Sequence, residues 1–326
     1  MKLFDKTAKQ LIACTVLFAI VAAPSFAQQY PDRPVTVVVG FGAGSGTDIL
    51  ARIIAEELRQ VFSQPFVVVN KPGATAAIAA ELVAKSPPDG YTLFITSNSS
   101  HSVNPHLYKS LRYDPAKDFT PVGRIADFPF VLVVNPKIPV NSPQELVSYV
   151  RANPGKTSYA YGNTPGQIAG AALTKLMKLD TNAIAYKSSP PAMVDVAAGQ
   201  EDFMVVDLAS SQALVKAGRL RAIAVTTSSR SALVPELPTI SESLNIAGFD
   251  LRAWTGLFGP ANMPKDVTVR LSTELFKILT RQDIRSKLLA GNMEPTPQLA
   301  SEFIPFLANQ YNVWGSKIKD AGIEPE

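Results

Sequence analysis

The chain has 326 residues, of which 46% are hydrophobic and 18% are charged, and its formal net charge is +4. So small a charge over this length excludes the dense basic character of a nucleic-acid-binding protein, and no nucleic-acid partner is expected. The one cysteine, Cys14, lies in the N-terminal segment discussed next. Beyond that segment the sequence offers no disulfide, no thiolate metal ligand and no thiol nucleophile.

The first predicted element is a secretory signal peptide at residues 1–27. Three lysines among the first nine residues give a positive start, and the apolar run Leu11–Ala23 follows. This run is shorter than the roughly 20 residues that a membrane-spanning helix needs. The small residues Ser25 and Ala27 precede a predicted cleavage site before Gln28. Cys14 stands ahead of most of the apolar run, unlike the cysteine of a lipoprotein leader, so we interpret it as an ordinary leader residue. The sequence therefore predicts export to the periplasm.

Strands and helices alternate in the first half of the remaining chain. The predicted elements are a strand at Pro34–Val39, a glycine-rich turn at Gly40–Gly46, a helix from Thr47, a strand at Phe66–Val69, a helix at Ala76–Lys85 and a strand at Tyr91–Thr96. In the first helix, apolar residues recur every three or four positions while charged residues take the other faces. The alternation predicts an α/β fold with a largely parallel sheet.

The pattern is predicted to repeat after a break near Pro121–Phe128. The elements expected there are strands at Phe130–Val134, Ser158–Tyr161, Ala183–Tyr186, Phe203–Val206 and Arg221–Val225, and helices opening at Ser142–Glu145 and spanning Gln167–Met177 and Ser210–Ala217. The tail is predicted to be helical at Val267–Ala290 and Pro297–Ile318. Two α/β units and a returning helical tail predict two lobes with a cleft between them. We expect residues 28–125 and 250–326 in one lobe and residues 126–249 in the other.

The glycine-rich turn Gly40–Gly46 matches neither common nucleotide fingerprint. A dinucleotide-binding motif would need glycine at Ser45 or Thr47, and no lysine follows the last glycine as a P-loop requires. A strand that enters a helix through glycines can still bind an anion, because the first N–H groups of a helix are unpaired and the helix dipole is positive there. The residues alone leave two interpretations open: an anion site, or a tight connection capped by Ser45 or Thr47. Asp48 fits a first-turn partner of the helix dipole.

Two further polar loops, Thr96–Pro105 and Tyr161–Gly166, follow predicted strands. Open α/β sheets bind ligands at the carboxyl ends of their strands, so these loops and the glycine-rich turn are candidate ligand contacts. Hydroxyls and amides dominate them, which favours hydrogen-bonded capture over bond breaking, and we expect no cofactor.

Beyond the leader the sequence has two histidines, His101 and His106, and both fall in one predicted loop. Two histidines are too few for a zinc site, and no metal is expected. An alternative function, a secreted serine hydrolase, would use a serine of Ser97–Ser102 with His101 or His106. The competing interpretation, which we favour, is that the histidines hydrogen-bond a neighbour or face solvent.

The chain resembles the Bug-type receptors, the substrate-binding proteins of tripartite tricarboxylate transporters. The resemblance extends over nearly all of the chain beyond the leader. It is carried by Tyr30–Arg52, Val67–Ala74, Pro87–Ser97, Val103–Tyr108, Tyr113–Val122, Ala185–Met204 and Lys216–Glu242, taken in this order and spacing.

This resemblance implies a periplasmic binding protein type II-like fold, in which two α/β lobes close on a ligand like a Venus flytrap. It implies a receptor without enzymatic activity, expected to be monomeric, that captures a small organic carboxylate for the large and small membrane subunits of a transporter. A variant of this function would present the ligand to a sensor protein instead. Matched position by position, the family's ligand-binding residues correspond here to Phe41, Ala43, Gly44, Ser45, Gly46, Thr47, Asp48, Ser97, Asn98, Ser99, Asn163, Thr164 and Asp207.

The sequence departs from the family at three places. Gly40 stands where the family commonly has proline, Ser188 replaces a frequent glycine, and Leu208 replaces the asparagine that usually follows the aspartate at Asp207. We expect the first change to preserve the carboxylate site and the other two to face the variable side of the pocket. For Asp207 itself, a helix cap and a ligand contact are both open, and the cap is favoured.

Overall fold

A computed structural model describes residues 30–325, so the predicted leader lies outside the described residues. The chain divides into the units Met1–Asp32 and Arg33–Glu326, and the second carries every element below. Its strands are β1 (Val35–Val39), β2 (Phe66–Asn70), β3 (Thr92–Ser97), β4 (Phe119–Val134), β5 (Ser158–Tyr161), β6 (Asn182–Ala185), β7 (Phe203–Asp207), β8 (Arg221–Val225), β9 (Arg252–Pro260) and β10 (Glu294–Leu299). Its helices are α1 (Gly46–Phe62), α2 (Ala77–Ala84), α3 (Asn104–Leu107), α4 (Pro143–Ala152), α5 (Thr164–Met177), α6 (Ser189–Ala198), α7 (Leu208–Lys216), α8 (Ile240–Leu244), α9 (Lys265–Thr280), α10 (Gln282–Ala290) and α11 (Ala300–Ala321). Within the described range, no helix is long and apolar enough to cross a membrane.

The strands form two groups that share β4. In the first group, β1 lies between β2 and β3 in parallel, β9 is antiparallel to β3, and β4 and β10 follow. In the second group, the end of β4 pairs with β7 and β8, and β5 joins β7 to β6 in parallel. The strand passes from one group to the other between Pro129, which is paired with Arg252, and Phe130, which is paired with Asp207. The predicted α/β class is confirmed. The sheet is mixed instead of largely parallel, because β4 pairs antiparallel with each of its neighbours and β9 is antiparallel to β3.

The predicted break near Pro121–Phe128 is wrong, because β4 runs through it. Proline has no N–H to donate and is therefore tolerated in strands at irregularities and edges. Pro121 lies at one register shift between β4 and β9, and a second shift follows between Arg124 and Ala126. The irregular pairing accommodates the proline, and the strand continues.

The C-terminal elements differ from the prediction in a second way. Pro297–Leu299 belongs to a strand instead of the start of a helix, because β10 pairs with β4 through a register shift between Pro295 and Gln298. The last helix therefore begins at Ala300. The sequence did not predict strand β9, although turn residues stand on both sides of it, Gly248 before it and Asn262 after it. Pairing with distant strands decides both elements, and local propensity does not encode such pairing.

Each strand group has its own apolar core. In the first group, Phe94, Trp254, Phe258 and Phe303 are buried together; the rings of Trp254 and Phe303 meet edge to face at 5.6 Å. The second core contains Val131, Val133, Met193, Met204, Val206 and Leu220. Complete burial of such a side chain contributes about 1.5–3 kcal/mol. Trp254 thus packs in the first core.

A left-handed turn follows β2. Gly73, Ala74, Thr75 and Ala76 all have positive φ, at 142°, 44°, 48° and 74°. Such angles cost a non-glycine residue about 1 kcal/mol or more. The Thr75 hydroxyl donates to Asn104 Oδ1 at 3.0 Å and anchors the turn. A Cβ built on Gly40 would lie 2.3 Å from the Ala76 Cβ, so the turn packs directly against the end of β1.

His101 belongs to the first core, not to a solvent-facing loop. Residues Ser99–Val103 form one π-helical turn, and the His101 ring stacks on Phe258 with 4.0 Å between centroids. Its Nδ1 lies 2.9 Å from the Ser100 hydroxyl. Burial lowers the pKa of His101 to about 3. The imidazole is therefore neutral in the folded protein over the physiological pH range.

The neutral, buried His101 predicts an acid-sensitive fold. Between the ordinary pKa of 6.5 and about 3, the unfolded chain binds a proton at this residue that the folded chain does not. The contribution of His101 to the free energy of unfolding is complete above pH 6.5. Below that pH it falls by at most about 1.4 kcal/mol for each pH unit. In urea unfolding, the free energy of unfolding of His101→Phe should decrease less between pH 7 and pH 5 than that of the unsubstituted protein. Equal losses would contradict the assignment.

Candidate functional site

The glycine-rich turn leads into a helix whose first residues are capped and buried. Ser45 adopts extended backbone angles (φ −70°, ψ 155°), and its Oγ accepts a hydrogen bond from the N–H of Asp48 at 3.3 Å. Ser45 is thus the cap, and α1 begins at Gly46. Gly46 and Thr47 are buried, although they belong to the first turn, whose N–H groups have no partner within the helix. The positive end of the helix dipole therefore lies inside the protein.

A small cavity adjoins this helix end. Its lining residues are Phe41, Ser45, Gly46, Thr47, Ser97, Phe128, Phe130, Asn163, Pro165, Ser189, Asp207 and Ala253. They come from both strand groups and include hydroxyls, an amide and one carboxyl group, but no basic side chain. The free space for a water-sized group is about 20 Å³, room for about one water molecule. The two groups are thus closed on each other in this structure.

Hydroxyl groups connect the two strand groups beside the cavity. The Thr164 hydroxyl, at the start of α5, donates to Ser99 Oγ at 2.8 Å, and the Ser97 hydroxyl donates to the same atom at 3.2 Å. All three residues are buried. Asn163 caps α5 by accepting from the N–H of Gly166 at 2.8 Å, so this helix starts three residues before the predicted Gln167.

Asp207 lies across the cavity from α1. Its Oδ1 accepts from the N–H of Ser210 at 2.8 Å, so the carboxyl group caps α7, as the favoured interpretation of the sequence expected. Burial raises the pKa of Asp207, and the hydrogen bonds from Ser210 oppose the rise. A Cβ built on Gly46 would lie 2.4 Å from Asp207 Oδ1. The first residue of α1 therefore lies directly against this side chain.

Asn98 is the least satisfied polar residue near the cavity. Asn98 stands between Ser97 and Ser99 in the sequence, and its side chain is fully buried. Neither its amide oxygen nor its amide nitrogen has a hydrogen-bond partner among the described residues. An unpaired buried polar group costs about 1–3 kcal/mol.

The structure places the thirteen predicted site residues in three settings. Those that line the cavity are Phe41, Ser45, Gly46, Thr47, Ser97, Asn163 and Asp207. Ala43 and Gly44 are exposed on the glycine-rich turn. Asn98, Ser99, Thr164 and Asp48 are buried but do not line the cavity; the carboxylate of Asp48 instead accepts from the N–H of Gly44 at 3.0 Å.

The cavity also contains residues that the sequence did not single out: Phe128, Phe130, Pro165, Ser189 and Ala253. The two phenylalanines flank Pro129: Phe128 ends the segment where a break was expected, and Phe130 begins a predicted strand. No local signal pointed to either as a ligand contact. Ser189 follows the departure at Ser188, whose Oγ would lie 2.6 Å from a Cβ built on Gly42. Leu208 packs in the second core and lines a different cavity, so the expectation that it faces the ligand pocket is wrong.

The two histidines do not form a hydrolytic site. The polar contact of His101 is Ser100, within a core of aromatic rings, and Nε2 of His106 lies 2.9 Å from the carbonyl oxygen of Tyr311. No acidic side chain contacts either ring in the hydrogen bonds of the described residues. Across residues 30–325 no cluster of histidine, cysteine and acidic residues could hold a metal ion.

Comparison with known proteins identifies the family of the chain. Residues 50–323 match the family described as tripartite tricarboxylate transporter family receptor. Protein BugT of Bordetella pertussis is 32% identical over 317 residues, covering 96% of each chain.

Solved structures are similar over nearly the whole fold. An R. palustris protein solved with adipate has a TM-score of 0.88 and 34% identity, covering 91% of this chain and all of its own. The periplasmic binding protein BugD has a TM-score of 0.86 and 31% identity over 91% of this chain and 100% of its own. MatC of Rhodopseudomonas palustris, solved with malate, has a TM-score of 0.83 and 29% identity over 89% of this chain and 100% of its own. The fold is thus that of the periplasmic binding proteins, and the chain belongs to the tripartite tricarboxylate transporter receptor family.

Proposed function

We propose that this protein is a periplasmic receptor that binds a small carboxylate in the cavity at the start of α1 and presents it to membrane transporter subunits. The observation that carries the proposal is the buried helix end at Ser45–Thr47, which lines a cavity shared with the Asn163 amide and the Ser189 hydroxyl of the second strand group. Helix N-termini bind carboxylates without a basic side chain. Relatives solved with adipate and malate support this ligand class.

Capture by closure of two lobes is the second part of the proposal. We retain the predicted lobes, residues 28–125 with 250–326 and residues 126–249. The crossing of β4 between strand groups at Pro129 and the start of β9 at Arg252 would form the connections between them. Because the closed cavity holds about one water molecule, a four- to six-carbon acid would enter only after the lobes separate. On closure, fixed amides and hydroxyls would replace the hydration of the acid.

Asn98 would supply further hydrogen bonds to such a ligand. Both of its amide atoms are unpaired among the described residues, and it directly follows the cavity residue Ser97 in sequence. A ligand that pairs them would remove the cost of leaving them unsatisfied. Ser99 and Thr164, now bonded to each other, would become available when the lobes open.

Calorimetry on the exported protein tests the proposal. Adipate and malate should bind, and an acid present at 100 times its Kd should stabilise the fold by about 2.7 kcal/mol. Adipamide, which has the length of adipate but no charge, is the matched control and should bind far more weakly. Absence of binding and of thermal stabilisation by any mono- or dicarboxylate would rule the proposal out. The mass of the same exported protein tests the predicted cleavage after Ala27.

A further inference from the structure

Three polar side chains lie behind the glycine-rich turn and outside the cavity. They are Asp48 in the first turn of α1, Arg52 one turn later, and Asn70 at the end of β2. Asn70 is the register partner of Val39, the last residue of β1, so it lies beside the point where the turn begins. None of the three lines the cavity.

The three side chains hold the turn at two backbone positions. The Asn70 amide donates to the carbonyl oxygen of Phe41 at 2.9 Å and to Asp48 Oδ1 at 2.8 Å. Asp48 Oδ2 accepts from the N–H of Gly44 at 3.0 Å. Phe41 and Gly44 flank the stretch that leads into Ser45. The turn is therefore fixed by side-chain hydrogen bonds at two of its backbone positions, Phe41 and Gly44.

Arg52 completes this group and neutralises its charge. Its guanidinium lies 3.0 Å from Asp48 Oδ1, donates from Nε to Asp48 Oδ2 at 3.1 Å, and donates to Asn70 Oδ1 at 3.2 Å. The Asp48 side chain is 3% exposed, whereas that of Arg52 is 55% exposed. A buried carboxylate beside an anion site would repel a carboxylate ligand unless a cation compensated it. Arg52 supplies that cation from the solvent side.

We propose that Asn70 and Arg52 are positioning residues for the carboxylate site and act on it through Asp48 without touching the ligand. Asn70 keeps the turn in the shape that aims the first N–H groups of α1 into the cavity. Arg52 cancels the Asp48 charge, so the positive end of the helix dipole remains available to the ligand. This inference rests on the proposed carboxylate-binding function.

A pattern of affinities separates positioning from ligand contact. Asn70→Ala should weaken the binding of adipate and of malate by the same factor, about tenfold, since both acids would use the same helix end. A residue that touched the distal part of the ligand would change the ratio between the two affinities. Arg52→Gln should weaken both acids in parallel, and Arg52→Lys, which keeps the charge, should lose less.

Arg59→Gln is the matched control. Arg59 lies on the same helix, is 53% exposed and pairs with Glu56 at 2.8 Å, but it is remote from the glycine-rich turn. We expect unchanged affinities and a smaller stability loss than that of Arg52→Gln, because Glu56 is exposed whereas Asp48 is buried. If Asn70→Ala does not fold, the Arg52 and Arg59 variants decide the question.

The outcomes distinguish this inference from the function on which it rests. An unsubstituted protein that binds no carboxylate overturns both. Binding by the unsubstituted protein, with unchanged affinities in Asn70→Ala and Arg52→Gln, overturns the positioning role alone. A changed adipate-to-malate ratio in either variant overturns it too, because it would assign a direct contact with the ligand.

Discussion

Replacing Gly46 with alanine should lower the affinity for adipate or malate about 100-fold while leaving the stability of the ligand-free protein almost unchanged. The added methyl group would lie 2.4 Å from Asp207 Oδ1 and 3.0 Å from a ring carbon of Phe128. Asp207 is fixed as the cap of α7 and cannot easily retreat. Such overpacking costs about 1–3 kcal/mol, and 1.4 kcal/mol corresponds to a tenfold change in affinity.

The closed state should carry this energetic cost, because Gly46 and Asp207 belong to different strand groups and lie against each other only when the groups are closed. When the proposed lobes separate, the methyl group gains room, and alanine is the better helix former by about 1 kcal/mol. Calorimetry and urea unfolding measure the two effects separately. Because Asp207 itself lines the cavity, the rescue compares Gly46→Ala/Asp207→Ser with Asp207→Ser alone, since serine keeps a helix cap and removes the clashing oxygen. Full affinity in Gly46→Ala alone would refute closure at this contact.

The second large effect is expected at Gly40. Gly40→Ala should destabilise the fold by about 3 kcal/mol, because its Cβ would lie 2.3 Å from the Ala76 Cβ and 3.0 Å from the Ala76 Cα. The strand end and the left-handed turn would have to move apart. The glycine-rich turn starts at this residue, so carboxylate affinity should fall as well.

A double-mutant cycle tests the Gly40 contact. Gly40→Ala/Ala76→Gly moves the methyl group from one side of the contact to the other and places glycine at φ 74°, where it is favoured. We expect the double variant to regain the stability of the unsubstituted protein. Additive losses in the cycle, measured by urea unfolding, would show that the two positions are not coupled. The contact also explains the departure from the family, since a proline at position 40 would place its own Cβ against Ala76.

The sequence predicted those parts of the site that local chemistry determines. A β-branched run entering glycines and a serine indicated the strand, turn and capped helix from Val35 to Phe62, and the structure confirms them. Ser142 opens a helix as predicted, with its hydroxyl accepting from the N–H of Glu145. These features depend on residues three or four positions apart, so the pattern of residue types is sufficient.

Features that depend on distant pairing were not predictable in the same way. The Ser99–Thr164 hydrogen bond joins residues 65 positions apart, and the partners of Asn70 reach back to Phe41. Strand β4 continues through Pro121 only because its register with β9 shifts there. Hydroxyl-rich loops were identified from composition, but which hydroxyls face the cavity and which bond each other depends on how the strand groups close.

Strand β4, which belongs to both strand groups, limits where the protein can be divided into fragments. The segment Phe130–Val134 pairs with β7 on one side and with β8 on the other. A fragment that starts at Asn135 would leave both of these buried strands with open, apolar edges, which promote intermolecular pairing. We therefore expect such a fragment to aggregate when expressed alone. A biosensor assembled from two separately produced pieces would need its cut elsewhere.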